Sequence, residues 1–396
     1  MRHAGRIAGA ALKKTLIQSR NIFDDFGVRY IGPVPGHDLP TLTGVLDRVS
    51  RLRGPVLVHV VTRKGKGFDP AECDATTWHG IAGECSAPGE GRTFTSAFSS
   101  AMIALGEKNS SLVAITAAMR DGTGLAEFST RFPRRFFDVG IAEQHAVTFA
   151  CGLAFGGLRP VVAMYSTFMQ RAVDQLIHDA ALQKAPIVLA LDRCGAVGED
   201  GPTHHGMFDI PLLRSIPNIR IASPRSCAML ASVLELAVGF PDGPTAIRYP
   251  RGSEPVGMPS PPVNPVPGRG QILKEGTDVL LVGCGVMAAA ALEASALLQA
   301  EGVSAMVYDP IWLKPAPIEE IIGLGTRCGR VVSLEDGCLA GGFGEMLTSE
   351  LAAAGTRVLA LGFPDMFQQH GTRSGLLSGA GLDPESIRKA VREFCR

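Results

Sequence analysis

The sequence predicts an α/β fold built on parallel sheets, and three observations lead there. From Thr93 onward, short apolar runs alternate with longer helix-like stretches. A segment from Pro255 to Pro267 then carries six prolines and breaks the pattern. Beyond it, a second and shorter series of the same kind begins. Strand–helix alternation of this sort implies strands that run parallel, with helices over both faces of the sheet.

Each element follows from local pattern. Leu39, Leu42, Leu46, Val49 and Leu52 fall at helical spacing. Gly54-Pro55 then turns the chain into the apolar strand 56–61. A loop rich in Gly, Lys and Asp runs from Arg63 to about Gly89. Strands are expected at 112–116, 136–139, 160–164, 187–191, 219–222 and 246–249, with helices between them at 171–183 and 228–238. After the proline-rich segment, strands are expected at 279–282, 305–308, 330–334 and 357–361, and a helix at 287–300. The divisions are therefore 1–90, 91–254, a linker at 255–267, and 268–396.

Composition narrows the function classes. Lys+Arg and Asp+Glu balance at 38 each, so neither nucleic acid nor an anionic membrane surface is implied as a partner. Charges interrupt every stretch long enough to span a bilayer. The nine cysteines form no Cys-x-x-Cys pair, which points to a reducing compartment, the cytoplasm. No third ligand at suitable spacing joins His204-His205, so no metal site is expected in this chain. The first twenty residues are basic, and we read them as the stub of a longer ancestral domain rather than as a transit peptide.

Two stretches invite a cofactor. Gly283-Cys284-Gly285 follows a strand and opens a helix, with Asp309 closing the next strand. This imitates a dinucleotide fingerprint, but any tight strand-to-helix turn tolerates two glycines. The second is Phe136 to His145, where an apolar strand ends and Glu143 stands at the start of a helix. Taken alone, a glutamate there simply complements the helix dipole.

The second stretch gains weight from its company. Ile141-Ala142-Glu143-Gln144-His145 is accompanied, in order, by Ile31-Gly32-Pro33, Gly36-His37-Asp38, Lys64-Gly65-Lys66-Gly67, Tyr165-Ser166-Thr167-Phe168, Asp200-Gly201-Pro202-Thr203-His204, Arg248-Tyr249-Pro250-Arg251-Gly252 and Gly362-Phe363-Pro364-Asp365. Together these resemble the thiamine-diphosphate enzymes of the transketolase superfamily, and within it the 1-deoxy-D-xylulose-5-phosphate synthase branch. The resemblance implies a parallel-sheet thiamine-diphosphate fold: a remnant of the diphosphate-binding domain at 1–90, a pyrimidine-binding domain at 91–254, and a transketolase C-terminal domain at 268–396.

The resemblance also implies residue roles. Glu143 would hydrogen-bond the aminopyrimidine of the cofactor, Phe168 would pack on that ring, and Arg171 and Lys64 would contact the cofactor. Tyr165, Arg193 and Arg251 would hold the phosphate of an aldehyde acceptor, since guanidinium donors fork onto phosphate oxygens. Asp200, His204 and His79 would face the reacting groups, where hydroxyls are oriented and protons moved.

The match departs from the family at Pro35, where an acid is usual, and in the lack of any Gly-Asp-Gly motif for a magnesium ion on the diphosphate. Three arrangements satisfy this. In the first the enzyme is split, and a separate chain supplies the diphosphate domain and its Mg2+ within a homo- or hetero-oligomer. In the second the chain is a non-catalytic relic or binding module. In the third it is a piece of a longer protein. Glu143, Tyr165, Arg193, Asp200, His204 and Arg251 standing together favour the split enzyme. It would join pyruvate to glyceraldehyde 3-phosphate with loss of CO2, in isoprenoid biosynthesis, or act on another acceptor in a specialised pathway.

Overall fold

The computed structural model describes residues 21–75, 78, 92–262 and 264–396. The chain divides into two compact units, Met1–Pro88 and Gly89–Arg396. The basic stretch at 1–20 and His79 lie outside the described residues.

The first unit pairs two parallel strands, β1 (Arg29–Pro35) and β2 (Val56–Val61), joined through helix α1 (Leu39–Val49). Asp38 caps α1 by accepting from the Thr41 amide. The sequence reading missed β1 because Gly32, Pro33 and Pro35 are turn residues, and the strand's pairing does slip between Ile31 and Val34. Few of the described residues of this unit are buried. Val34 and Ala71 are, whereas Leu39, Leu46, Val61 and Phe68 are exposed and α1 has no buried residue. Parallel sheets ordinarily have both faces covered, and among the described residues of this unit several apolar side chains stand exposed instead.

In the second unit, helix α2 (Phe94–Lys108), capped by Thr93, leads into β3 (Leu112–Thr116). Next come α3 (Ala126–Arg131), β4 (Phe136–Asp138), α4 (Glu143–Phe155) and β5 (Arg159–Tyr165). Then β6 (Val188–Asp192), α5 (Asp209–Arg214), β7 (Arg220–Ala222), α6 (Cys227–Gly239) and β8 (Thr245–Arg248) complete this half. Strands β3, β6 and β8 are buried end to end, which explains why they read as unbroken apolar runs. The continuous helix expected at 171–183 does not form. A 3-10 turn at Gln170–Ala172 and a π-helical turn at Leu176–Ala181 replace it. A single π-turn adds one residue to one turn of a helix, an interruption that apolar spacing over so short a stretch does not reveal. Here Asp179 accepts from Thr148 on α4, and Ala180 and Ala181 are buried in the core.

The C-terminal half consists of β9 (Gln271–Lys274), β10 (Val279–Gly283), α7 (Met287–Ala300), β11 (Ala305–Asp309), β12 (Trp312–Lys314), α8 (Ile318–Cys328), β13 (Arg330–Cys338), α9 (Phe343–Ala352), β14 (Arg357–Phe363), α10 (Arg373–Gly379) and α11 (Pro384–Cys395). Its sheet has the order β14-β13-β10-β11-β9, with β9 antiparallel. The larger sheet has the order β12-β7-β8-β6-β5-β3-β4. Its edge strand β12 comes from the C-terminal half and pairs antiparallel with β7. Both sheets are thus mixed at one edge, where the alternation alone implied parallel strands throughout. These two edge strands have four residues or fewer, too short to show a period.

Buried charge fastens the halves together. Arg225, fully buried, donates to Asp309 at 2.6 Å, to Gln271 at 2.7 Å, and to the Pro259 and Ser260 carbonyls in the proline-rich segment. Arg248 donates to Asp209 at 2.8 Å and to the Asp336 carbonyl at 2.9 Å. This also settles the glycine turn. Asp309 is committed to Arg225, and a Cβ on Gly283 would lie 2.6 Å from the Ala288 Cα, so the glycine is there for packing.

Glu335 is buried and accepts the Phe343 and Gly344 amides at 2.9 and 2.8 Å, capping α9. Burial pushes its carboxyl up to about 7 against the pull of those two amides, and pushes Asp192 and Asp309 up to about 6. Above the ordinary carboxylate range the folded chain therefore holds protons that the unfolded chain has released, and these groups make stability fall as pH rises through that window. Urea unfolding across about pH 5 to 8 should show this decline. Glu335→Gln should make it shallower, even if the variant is less stable at every pH.

Candidate active site

Parallel strands all end at one edge, and loops leaving that edge converge. The register sets Thr116 beside Asp138 and Ala163, Tyr165 beside Asp192, and Leu191 beside Arg248. The residues that follow these positions are the ones singled out in the sequence.

After β4, Gly140 turns with φ +71° and Glu143 opens α4. Its side chain is 2% exposed. Oε2 lies 3.4 Å from the Arg171 guanidinium and has no hydrogen-bond partner. A buried acceptor without a donor marks a place where a ligand's donor fits. After β5, Tyr165 and Phe168 stack at 5.8 Å between ring centroids, and His204 meets Phe168 edge-on at 5.5 Å. His204 Nδ1 contacts the Thr203 hydroxyl at 2.8 Å.

After β6, Arg193 adopts φ +63°, strained for a residue with a side chain. Its guanidinium lies 3.7 Å over the Tyr165 ring, donates to the Gly122 carbonyl at 2.8 Å, and sits 3.3 Å from Asp192. Asp192 is fully buried and accepts from the Thr95 hydroxyl at 2.8 Å. Burial holds the Tyr165 hydroxyl above the usual tyrosine range, so it remains a neutral donor. After β8, Arg251 pairs with Asp200 at 2.7 Å, and both are partly exposed.

The structure therefore brings together Glu143 with Arg171, Tyr165 with Phe168, Arg193 and His204, and Asp200 with Arg251. Lys64 lies in the first unit, on the turn after β2. The sequence reading passed over Asp192 and Gly122. Asp192 directly precedes Arg193 at the end of an apolar strand, and that adjacency was the available signal. Nothing local marks Gly122, whose importance is steric and set by the distant Tyr165.

Family comparisons bear on this constellation. Residues 90–255 match the transketolase pyrimidine-binding domain, residues 268–387 the transketolase C-terminal domain, and residues 2–62 the 1-deoxy-D-xylulose-5-phosphate synthase family. A solved chain described as a split-gene transketolase, inactive β4 tetramer, is 31% identical with TM-score 0.69; the match covers 76% of this chain and 98% of that one. This chain belongs to the transketolase family. Transketolase from Leishmania mexicana shares the fold at TM-score 0.65 and 18% identity, over 76% of this chain and 45% of that one. Within the family the chain is 1-deoxy-D-xylulose-5-phosphate synthase-like. It is 49% identical to that synthase from Syntrophotalea carbinolica, over 94% of this chain and 60% of the relative, and 44% identical to the one from Aquifex aeolicus, over 96% and 62%. The chain thus spans about 60% of the length of such curated relatives.

A Cβ added at Gly122 would lie 1.8 Å from the Tyr165 hydroxyl oxygen. Gly122→Ala should therefore push the Tyr165 ring off the Arg193 guanidinium while the sheet stays folded. A crystal structure of the variant with the stack intact would show that the 118–124 turn absorbs the methyl instead.

Proposed function

We propose that this chain supplies the pyrimidine half of a split, thiamine-diphosphate-dependent carboligase of the 1-deoxy-D-xylulose-5-phosphate synthase type. The observation that carries the reading is the buried Glu143 side chain, whose Oε2 accepts no hydrogen bond and has only the Arg171 guanidinium 3.4 Å away, at the carboxyl edge of the sheet. When bound, thiamine diphosphate supplies a carbanion nucleophile, which decarboxylation of a 2-oxo acid and addition to an aldehyde both require. Glu143 fits the aminopyrimidine end, since a buried acceptor favours the tautomer that can take up a proton. Arg171 holds that carboxylate in place at 3.4 Å, and Phe168 offers a face for the ring.

The remaining residues divide between two substrates. Arg193 and Arg251 bring two guanidinium groups, and Tyr165 a neutral hydroxyl, a set suited to the phosphate of glyceraldehyde 3-phosphate. Asp200 accepts from substrate hydroxyls. His204, with Nδ1 engaged by Thr203, offers Nε2 for proton exchange. We keep for Lys64 and His79 the roles the resemblance implies, cofactor contact and acid–base work. Pyruvate is the donor that this reading assigns, and the cytoplasm the compartment.

The diphosphate end and its Mg2+ are assigned to a partner chain. The likeness to a chain described as a split-gene transketolase supports this. The uncovered apolar residues of the first unit suit a surface that another chain covers.

Glu143→Ala or Glu143→Gln should abolish turnover in the assembled enzyme while circular dichroism and melting remain those of a folded protein. Near-normal turnover by folded Glu143→Ala would refute the assignment. The chain alone should neither bind thiamine diphosphate tightly nor make product, because much of the anchoring comes from the metal-bridged diphosphate. Calorimetric titration with thiamine diphosphate and magnesium, then an assay with pyruvate and glyceraldehyde 3-phosphate, checks this. Micromolar affinity and product formation by the single chain would rule out the split enzyme.

A further inference from the structure

We infer that the C-terminal half acts on the site through a clamp, in which Asp336, Arg373 and the backbone at 369–371 hold the loop that carries Asp200 and His204. The consequence for turnover rests on the function proposed above, whereas the clamp itself does not.

The loop between β6 and α5 is tied within itself by turns, with Gly201 N–H donating to the Gly198 carbonyl at 3.2 Å and His204 N–H to the Gly201 carbonyl at 3.0 Å. It contains no helix or strand, and Gly195, Gly198 and Gly201 adopt φ of +69°, +109° and +75°. Glycine-rich backbone loses more conformational freedom on ordering than other backbone does. The base of the loop is closed by two bonds, Gly195 N–H to the Gly206 carbonyl at 2.8 Å and Gly206 N–H to the Gly195 carbonyl at 2.9 Å. That bridge makes an arch of residues 195–206, with Asp200 and His204 on its span. On the side of the larger sheet the span is touched at its tip, where the Thr167 hydroxyl donates to the Thr203 carbonyl at 3.2 Å and Arg251 pairs with Asp200.

The C-terminal half grips the arch on both limbs. Asp336, at the end of β13 and 2% exposed, accepts the Ala196 amide on Oδ1 at 2.9 Å. Arg373, the first residue of α10, donates to the Ala196 carbonyl with one terminal nitrogen and to Asp336 Oδ2 with the other. Residue 196 is thus held at both its amide and its carbonyl by one ion pair. Gly371 N–H donates to the Gly198 carbonyl at 3.3 Å. On the returning limb, the buried His205 accepts the Val197 amide on Nδ1 at 3.0 Å. Its Nε2 must then carry the proton, which it donates to the Gln369 carbonyl at 3.1 Å. The fit leaves no slack, since a Cβ on Gly195 would lie 2.0 Å from the Asp336 carboxyl carbon and one on Gly201 3.3 Å from the His370 Cβ.

Asp336, Arg373 and His205 are therefore positioning residues. They act on Asp200 and His204 through the loop backbone. Ordinary interdomain packing predicts something different: loss of one contact would loosen the whole boundary, not one loop.

The test is hydrogen exchange on the full chain, which needs no activity. Arg373→Met should lower protection of the amides from 196 to 206 by about tenfold or more, while those of β5, β6 and β10 stay unchanged. Arg373→Lys should restore part of the protection. Unchanged protection in Arg373→Met, or a loss spread evenly over both sheets, would overturn the clamp. If that variant does not fold, Asp336→Asn carries the same comparison, because it keeps an acceptor for Ala196 and removes the charge that holds Arg373. In the assembled enzyme, Arg373→Met should lower kcat more than it changes KM for either substrate, with partial rescue by Arg373→Lys. An unloosened loop refutes the clamp, whereas a loosened loop with unchanged kcat refutes only its link to turnover.

Discussion

Strands β3, β5, β6 and β8 run parallel and in register, and each is buried along all or most of its length. Burial on two faces leaves these strands no freedom to slip, because a slip of one residue would exchange the side chains of the two faces. The positions that follow their carboxyl ends are therefore held as rigidly as the sheet. Tyr165, Arg193 and Arg251 stand at or just after the ends of β5, β6 and β8 and inherit that rigidity, whereas Glu143 follows the short, partly exposed edge strand β4. A side chain as demanding as Arg193, with its left-handed backbone and its stack on Tyr165, is tolerated only on such a support.

Charge buried inside the second unit does related work. Arg225 with Asp309, and Arg248 with Asp209 and the Asp336 carbonyl, link the two sheets across surfaces that are otherwise apolar. Desolvating such pairs costs about as much as their attraction returns, but removing one partner costs about 3–5 kcal/mol, since a lone charge stays buried. These pairs therefore specify one docking of the halves more than they add stability. That docking in turn puts Asp336 and Arg373 beside the loop that carries Asp200 and His204.

Most of the second unit was legible because its strands are apolar from end to end and its helices span several turns. The strands that were not legible are short or masked by their own residues, whereas helices α8, α9 and α11 were not predicted although each spans ten residues or more. Strand β1 reads as a turn because of Pro33 and Pro35, while β9 and β12 are edge strands of four and three residues. The stretch at 166–181 kept its helical spacing on paper but changes helix type three times in space. Among site residues, those with a charged or aromatic group in a recognisable run were found. Gly122, Asp336 and Arg373 were not, because their partners lie tens of residues or more away in the chain, and Asp192 was missed although Arg193 stands beside it.

By itself the sequence determined the α/β class, the order of its main strands and helices, and the chemical groups that stand after each strand. These are local properties, set by periodicity, by turn residues and by the identity of side chains within a few positions of one another. Only the tertiary structure decided which of those groups meet: that Arg193 lies on Tyr165, that Arg251 is paired with Asp200, and that Glu143 is buried beside Arg171 with one oxygen accepting no hydrogen bond. The physical reason is that burial and pairing depend on what the rest of the chain places against a residue. In an α/β fold that neighbour comes from another strand, another loop, or, as at Ala196, from the other half of the unit.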